Sequence, residues 1–144
     1  MAGSITSADA IFILTVPELG IIGHKVQGFA VDKAFSTENK IYAETMIGVD
    51  GKLSAGYTPN KTVMQLTLQA DSDSRSVFNA ILEAMQTSKK IYYVSATIKL
   101  PATNESYTCT KGAIVSGKIV PDAAKMLQPI DYSIDWESVR VAAF

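Results

Sequence analysis

Apolar residues recur at every second position in three separate stretches, and that period of two commits much of the chain to half-buried antiparallel strands. Over 63–70, Met64, Leu66, Leu68 and Ala70 share one face, while Gln65, Thr67 and Gln69 share the other. Over 91–100, Tyr92, Val94, Ala96, Ile98 and Leu100 alternate with Tyr93, Ser95, Thr97 and Lys99. Over 130–136, Ile130, Tyr132, Ile134 and Trp136 alternate with Asp131, Ser133 and Asp135. A sheet with one apolar and one polar face follows.

Shorter strands are expected at 10–16, 25–31, 43–49, 53–57 and 107–115, each bounded by Gly, Pro, Asn or Asp. Asp50-Gly51 lies between two of them, and such a pair supplies the positive φ angles of a tight primed turn, so 43–57 reads as a hairpin. Asn104 and Glu105 are expected to turn a second hairpin, with Pro101 at a strand end where its missing N–H is harmless. Only 74–87 has a helical period, with Val77, Phe78, Ile81, Leu82 and Met85 forming one stripe. Asp71-Ser72-Asp73-Ser74 before it supplies possible N-caps, and Lys89 and Lys90 suit its C-terminal end. A further helical turn at 121–126 is an option. The reading is α+β, mainly β: about four strands, one amphipathic helix over the sheet, then about three strands.

The chain has 144 residues, 47% apolar and 19% charged, which suits a single packed domain spanning 1–144. Thirteen basic residues against fourteen acidic ones create no field that would draw nucleic acid or an anionic membrane. The longest apolar stretch, near 10–16, is far below the roughly 18 residues of a bilayer-crossing helix. No Lys or Arg occurs in the first ten residues, so secretory export is not expected. A lone cysteine, Cys109, permits no internal disulfide and suits a reducing compartment.

Catalytic chemistry is poorly supplied. His24, the single histidine, sits in the Gly20–Gly28 stretch and reads as a solvated or hydrogen-bonded loop residue, since no orienting carboxylate is near it in sequence. Cys109 reads as a small buried hydrophobe. Asp71 and Asp73 lack the remaining ligand positions of a calcium loop, and helix capping accounts for them. Asp131, Asp135 and Glu137 would serve a hydrolase only if one carboxyl had a strongly raised pKa; exposed alternating charge is the simpler reading. Gly20, Gly23 and Gly28 lack phosphate-loop spacing. Asn60-Lys-Thr62 and Asn104-Glu-Ser106 match glycosylation acceptors only formally, and Tyr92, Tyr93 and Tyr107 with Lys99 and Lys111 match a base-stacking surface no better. No enzyme, metal or cofactor is expected. What remains suits a self-assembling or binding module, with a small ligand-binding β-barrel as the rival from a different class.

Several blocks resemble a family of small tailed-bacteriophage virion proteins, the tail tube proteins, sometimes labelled tail fibre proteins. They are the opening MAGSITSADAIFIL, the central Met46-Ile-Gly-Val-Asp-Gly-Lys-Leu-Ser-Ala-Gly-Tyr57, Leu68-Gln-Ala-Asp-Ser72, Leu127-Gln-Pro129 and Trp136-Glu-Ser-Val139. The resemblance implies two packed antiparallel sheets flanked by the helix, six subunits per ring, and rings stacked into a hollow tube. It further implies a virion tail component made in the host bacterial cytoplasm, with sheath, tape-measure and baseplate proteins as partners and DNA passing through without specific binding. A terminator or baseplate-hub ring of the same fold is the nearest alternative. In such a tube Gln65, Thr67 and Gln69 are candidates for the lumen, which should be polar or acidic so as not to hold phosphates. Candidates for contacts between subunits or rings are Ile5 in an N-terminal arm (about 1–9), His24, and Asp50, Gly51 and Lys52 at the hairpin tip.

Overall fold

A computed structural model describes residues 10–27, 29, 35–101 and 103–143 of the chain. The strands are β1 (Ile11–Val16), β2 (Ile21–Lys25), β3 (Phe35–Thr37), β4 (Ala43–Ile47), β5 (Leu53–Tyr57) and β6 (Thr62–Leu68). After the helix α1 (Arg75–Ser88) come β7 (Val94–Leu100), β8 (Glu105–Ser116) and β9 (Ile130–Ala143). Seven strands form one antiparallel sheet in the order β2-β1-β7-β8-β9-β6-β3, and β4 and β5 form a second, two-stranded sheet.

Each strongly alternating stretch buries the face its sequence marks as apolar. Met64, Leu66 and Leu68 of β6, Val94, Ala96 and Ile98 of β7, and Ile130, Tyr132, Ile134 and Trp136 of β9 are all buried. Phe12, Leu14 and Val16 of β1 join them. The large sheet is strongly curled. β1 and β3 stand five strand steps apart, roughly 24 Å in a flat sheet. Yet the rings of Phe12 and Phe35 lie 5.7 Å apart edge to face. Phe29 sits 6.3 Å from Phe12 and 5.8 Å from Phe35, and its backbone bridges to Leu68. This three-phenylalanine seam draws the two sheet margins together without closing the ladder into a barrel.

α1 covers one end of the curl. Phe78 and Ile81 are fully buried, and the Phe78 ring stacks on Tyr132 at 4.7 Å. The expected N-cap is differently employed. Ser74 precedes the helix, but its hydroxyl makes no capping bond. Instead Ser74 Oγ accepts from Gln27 N–H at 2.8 Å and shares a 3.1 Å hydrogen bond with His24 Nε2. Ser72 Oγ donates to the Gln27 carbonyl at 2.5 Å. The serines before α1 therefore pin the chain leaving β2. Arg75 adds two further ties, donating to the carbonyls of Ala70 and Ile119.

Four expectations need correction. The stretch 20–27 is not a structureless loop, because Ile21–Lys25 is strand β2, and residues 28, 30 and 31 of the strand expected at 25–31 lie outside the described residues. Gly20 and Gly23 take φ of 72° and 63°, and a register shift on β1 beside them makes β2 a bulged edge. The stretch 121–126 forms no helix; a bridge between Ala123 and Leu127, with Gln128 N–H donating to Asp122, shapes it as a loop. The hairpin turn is not a primed pair: Gly51 alone has positive φ, 82°, and its N–H closes a turn onto the Gly48 carbonyl at 2.9 Å. The last strand does not stop at Trp136 but runs to Ala143.

That longer strand is tied to a bulge. Lys111 in β8 takes φ of 48°, and the pairing with β7 slips between Val94 and Ala96, so the inward face passes from Cys109 to Gly112. Gly112 lies opposite Trp136, whose Nε1–H points to Met64 Sδ at 3.4 Å. A Cβ at Gly112 would stand 2.3 Å from the indole ring. Gly112→Ala is therefore expected to destabilise the fold by about 1–3 kcal/mol through overpacking, read from denaturant unfolding. An unchanged midpoint would mean that the indole can shift freely.

Candidate assembly surfaces

The convex face of the sheet is polar, as the alternation demands. Gln65 lies opposite Ser133 and Ser36, and Thr67 lies opposite Asp131. Thr67 Oγ1 donates to Asp131 Oδ1 at 2.5 Å, which leaves Thr67 buried. Gln69 stands beyond the end of β6 and accepts at its carbonyl from Ser72 N–H. Of the three lumen candidates, two share this strand face and the third sits on the turn after it. Asp135 Oδ2 accepts from Lys61 Nζ at 2.8 Å, and this bond raises the lysine's pKa.

Each carboxylate of the trio has a partner of its own. Asp131 takes Thr67, Asp135 takes Lys61, and Glu137 faces Lys111 at 3.9 Å. Asp131 and Asp135 are four residues apart on one strand, roughly 13 Å, too far to share a proton. Cys109 is fully buried, and desolvation pushes its thiol up to about 11. The native thiol should thus resist a disulfide reagent at pH 8 and label only on unfolding; prompt stoichiometric labelling of the folded protein would contradict this placement.

The smaller sheet is an exposed amphipathic ribbon. Its register pairs Ala43 with Tyr57, Thr45 with Ala55 and Ile47 with Leu53 on one face, and Glu44 with Gly56 and Met46 with Ser54 on the other. Every residue of both strands is exposed, including Met46, Ile47, Leu53 and Tyr57. A lone two-stranded hairpin is marginal in water, so this apolar face calls for a cover. At the tip, Asp50 Oδ1 accepts from Lys52 N–H at 3.1 Å. The contact candidates Asp50, Gly51 and Lys52 thus sit at the end of a projecting arm, whereas His24 is half-buried on Ser74. Ile5 and the arm 1–9 lie outside the described residues.

A second feature escaped the sequence reading. At the end of the curl away from α1, a cleft of about 910 Å³ opens between 35–42 on one side and β9 on the other. Met64, Ile98, Leu100, Tyr107, Val139 and Val141 are its apolar lining. β9 has 14 residues against seven in β6, and its last pairing with β6 is Trp136 with Thr62. Pro59 stands just before β6, and the chain there turns to the hairpin, where Thr58 N–H donates to the Tyr42 carbonyl. Among the described residues, 138–143 therefore has a ladder to β8 on one side and no strand on the other. The signal was the alternation Val139, Arg140, Val141, hidden by the phase change at Glu137.

The fold belongs to a recognisable class. The chain superposes on a chain of the sheath-tube complex of an extracellular contractile injection system, PVC, in the extended state, with TM-score 0.71 and 12% identity, covering 98% of this chain and 93% of that one. It superposes on the sheath/tube terminator of the same kind of system with TM-score 0.64 and 12% identity, covering 98% of each. The tube-terminating cap of an anti-feeding prophage gives 0.62 and 13% identity over 100% of this chain and 94% of that one. No curated protein matches the sequence. Residues 3–140 match the Tail fiber protein gp32 family, and the chain belongs to it. The resemblance read from the sequence blocks to a tailed-phage tail family is thereby borne out.

Gly51 is the position where the arm is most sensitive. Gly51→Val forces a β-branched residue into the left-handed region, at a cost of about 1–2 kcal/mol. It should lower the melting temperature or impair assembly; a variant that melts and assembles as the wild type does would show that the tip adopts another turn.

Proposed function

We propose that this protein is a non-enzymatic structural subunit of a bacteriophage tail tube, assembling from copies of itself into stacked hexameric rings that form a conduit for DNA ejection. The observation that supports the reading is a gp32-family chain that superposes over 98% of its length on a chain of a sheath-tube complex while its sheet stays open at the margins. An open sheet has backbone groups that need partners, and repeated copies supply them in a heterologous contact that closes a ring.

In this reading the convex face carrying Gln65 and Thr67, with Gln69 at its end, lines the lumen. The charged groups beside Gln65 and Thr67 on this face, Asp131, Asp135 and Lys61, sum to an acidic patch with the lysine engaged by Asp135, so this part of the face offers little to hold passing phosphates. The hairpin tip at Asp50, Gly51 and Lys52, and the arm bearing Ile5, reach neighbouring subunits, with His24 bracing the segment between them. Sheath, tape-measure and baseplate proteins are the other partners, and the site of action is the virion tail after synthesis in the host cytoplasm. A terminator or baseplate-hub ring is the alternative within the class. A monomeric ligand-binding barrel is disfavoured by a sheet that does not close on itself.

The test is the state of the purified protein. Negative-stain images should show rings or stacked tubes, with sedimentation far above the monomer. A species that stays monomeric to high concentration would contradict the proposal.

A further inference from the structure

Two features of the chain are each incomplete, and they match. The open edge 138–143 borders the apolar cleft, with Val139 half-buried and Val141 still 66% exposed. No Gly or Pro interrupts that edge, so nothing in it blocks a further strand. The other margins are guarded: β2 is bulged beside Gly23, and β3 has only three residues. The hairpin β4–β5 is the complementary object, two strands of five residues with free outer edges and one uncovered apolar face.

We infer that the β4–β5 hairpin of one copy adds to the 138–143 edge of another, laying its Ala43/Tyr57, Thr45/Ala55 and Ile47/Leu53 face over the cleft. The inference rests on the tube-subunit reading and names its contact. The hairpin cannot serve its own chain's cleft as it stands, because it leaves from Tyr42 on the rim and all its residues are exposed. Strand addition keeps faces in phase. With the apolar face continuing Val139 and Val141, the opposite face places Glu44 on the same side as Arg140. Neither has an ion-pair partner among the described residues, and their charges are opposite. Every copy then carries one donor and one acceptor, so the contact propagates and does not stop at a pair.

The test uses two exposed positions. Leu53→Lys spoils the donor and Val141→Lys the acceptor, and neither residue is in the folded core. Wild type is expected to assemble, each variant alone to remain monomeric, and an equimolar mixture to give a 1:1 heterodimer by light scattering, since one intact donor meets one intact acceptor. Either variant assembling as the wild type does, or a mixture that stays monomeric, would overturn the inference while leaving the tube reading intact; a monomeric wild type would overturn that reading itself. A charge exchange gives an independent arm. Glu44→Arg and Arg140→Glu should each lower assembly several-fold and the combined variant restore it; no restoration would also count against the contact.

Discussion

The governing constraint is that backbone N–H and C=O groups along a strand require partners, and this curled sheet does not supply them all. Seven strands and a seam of three phenylalanines bring the margins within ring contact, yet the ladder remains open. A closed barrel would have satisfied its own edges and had no use for a neighbour. Here β9 outruns β6, whose last pair is Thr62 with Trp136, and the surplus of β9 becomes an edge. The cleft, the exposed ribbon and the need for other copies all follow from that mismatch of lengths.

Closure at the opposite end illustrates the contrast. There α1 seals the curl through Phe78 and Ile81, while Ser72, Ser74 and Arg75 fasten the helix start to His24 of β2 and to the segments at Gln27, Ala70 and Ile119. One end is a finished protein interior. The other presents Leu100, Tyr107, Val139 and Val141 to an open cleft. A chain that acts alone has little reason to leave such a surface wet.

The period-two stretches at 63–70, 91–100 and 130–136 made most of the core legible in the sequence, and the helix stripe likewise appeared nearly residue for residue as Arg75–Ser88. Strand β2 was hidden because Gly20, which closes the turn before it, and Gly23, at its bulge, both look like loop residues. The C-terminal half of β9 was hidden because the inward phase slips at Glu137, where a rule of strict alternation reads a stop. The cleft depends on how far β6 and β9 overlap, which is a property of pairing between residues as far apart as Thr62 and Trp136 and leaves no local mark. The hairpin was legible, but the exposure of its apolar face was not.

Assembly through the open edge is tested most directly by backbone hydrogen exchange at 138–143, compared between dispersed and assembled protein. Amides on the open side of this segment should exchange quickly in the dispersed chain and become strongly protected on assembly, together with those of 43–57. Equal exchange in the two states, with assembly verified in the same sample, would show that copies join through some other surface.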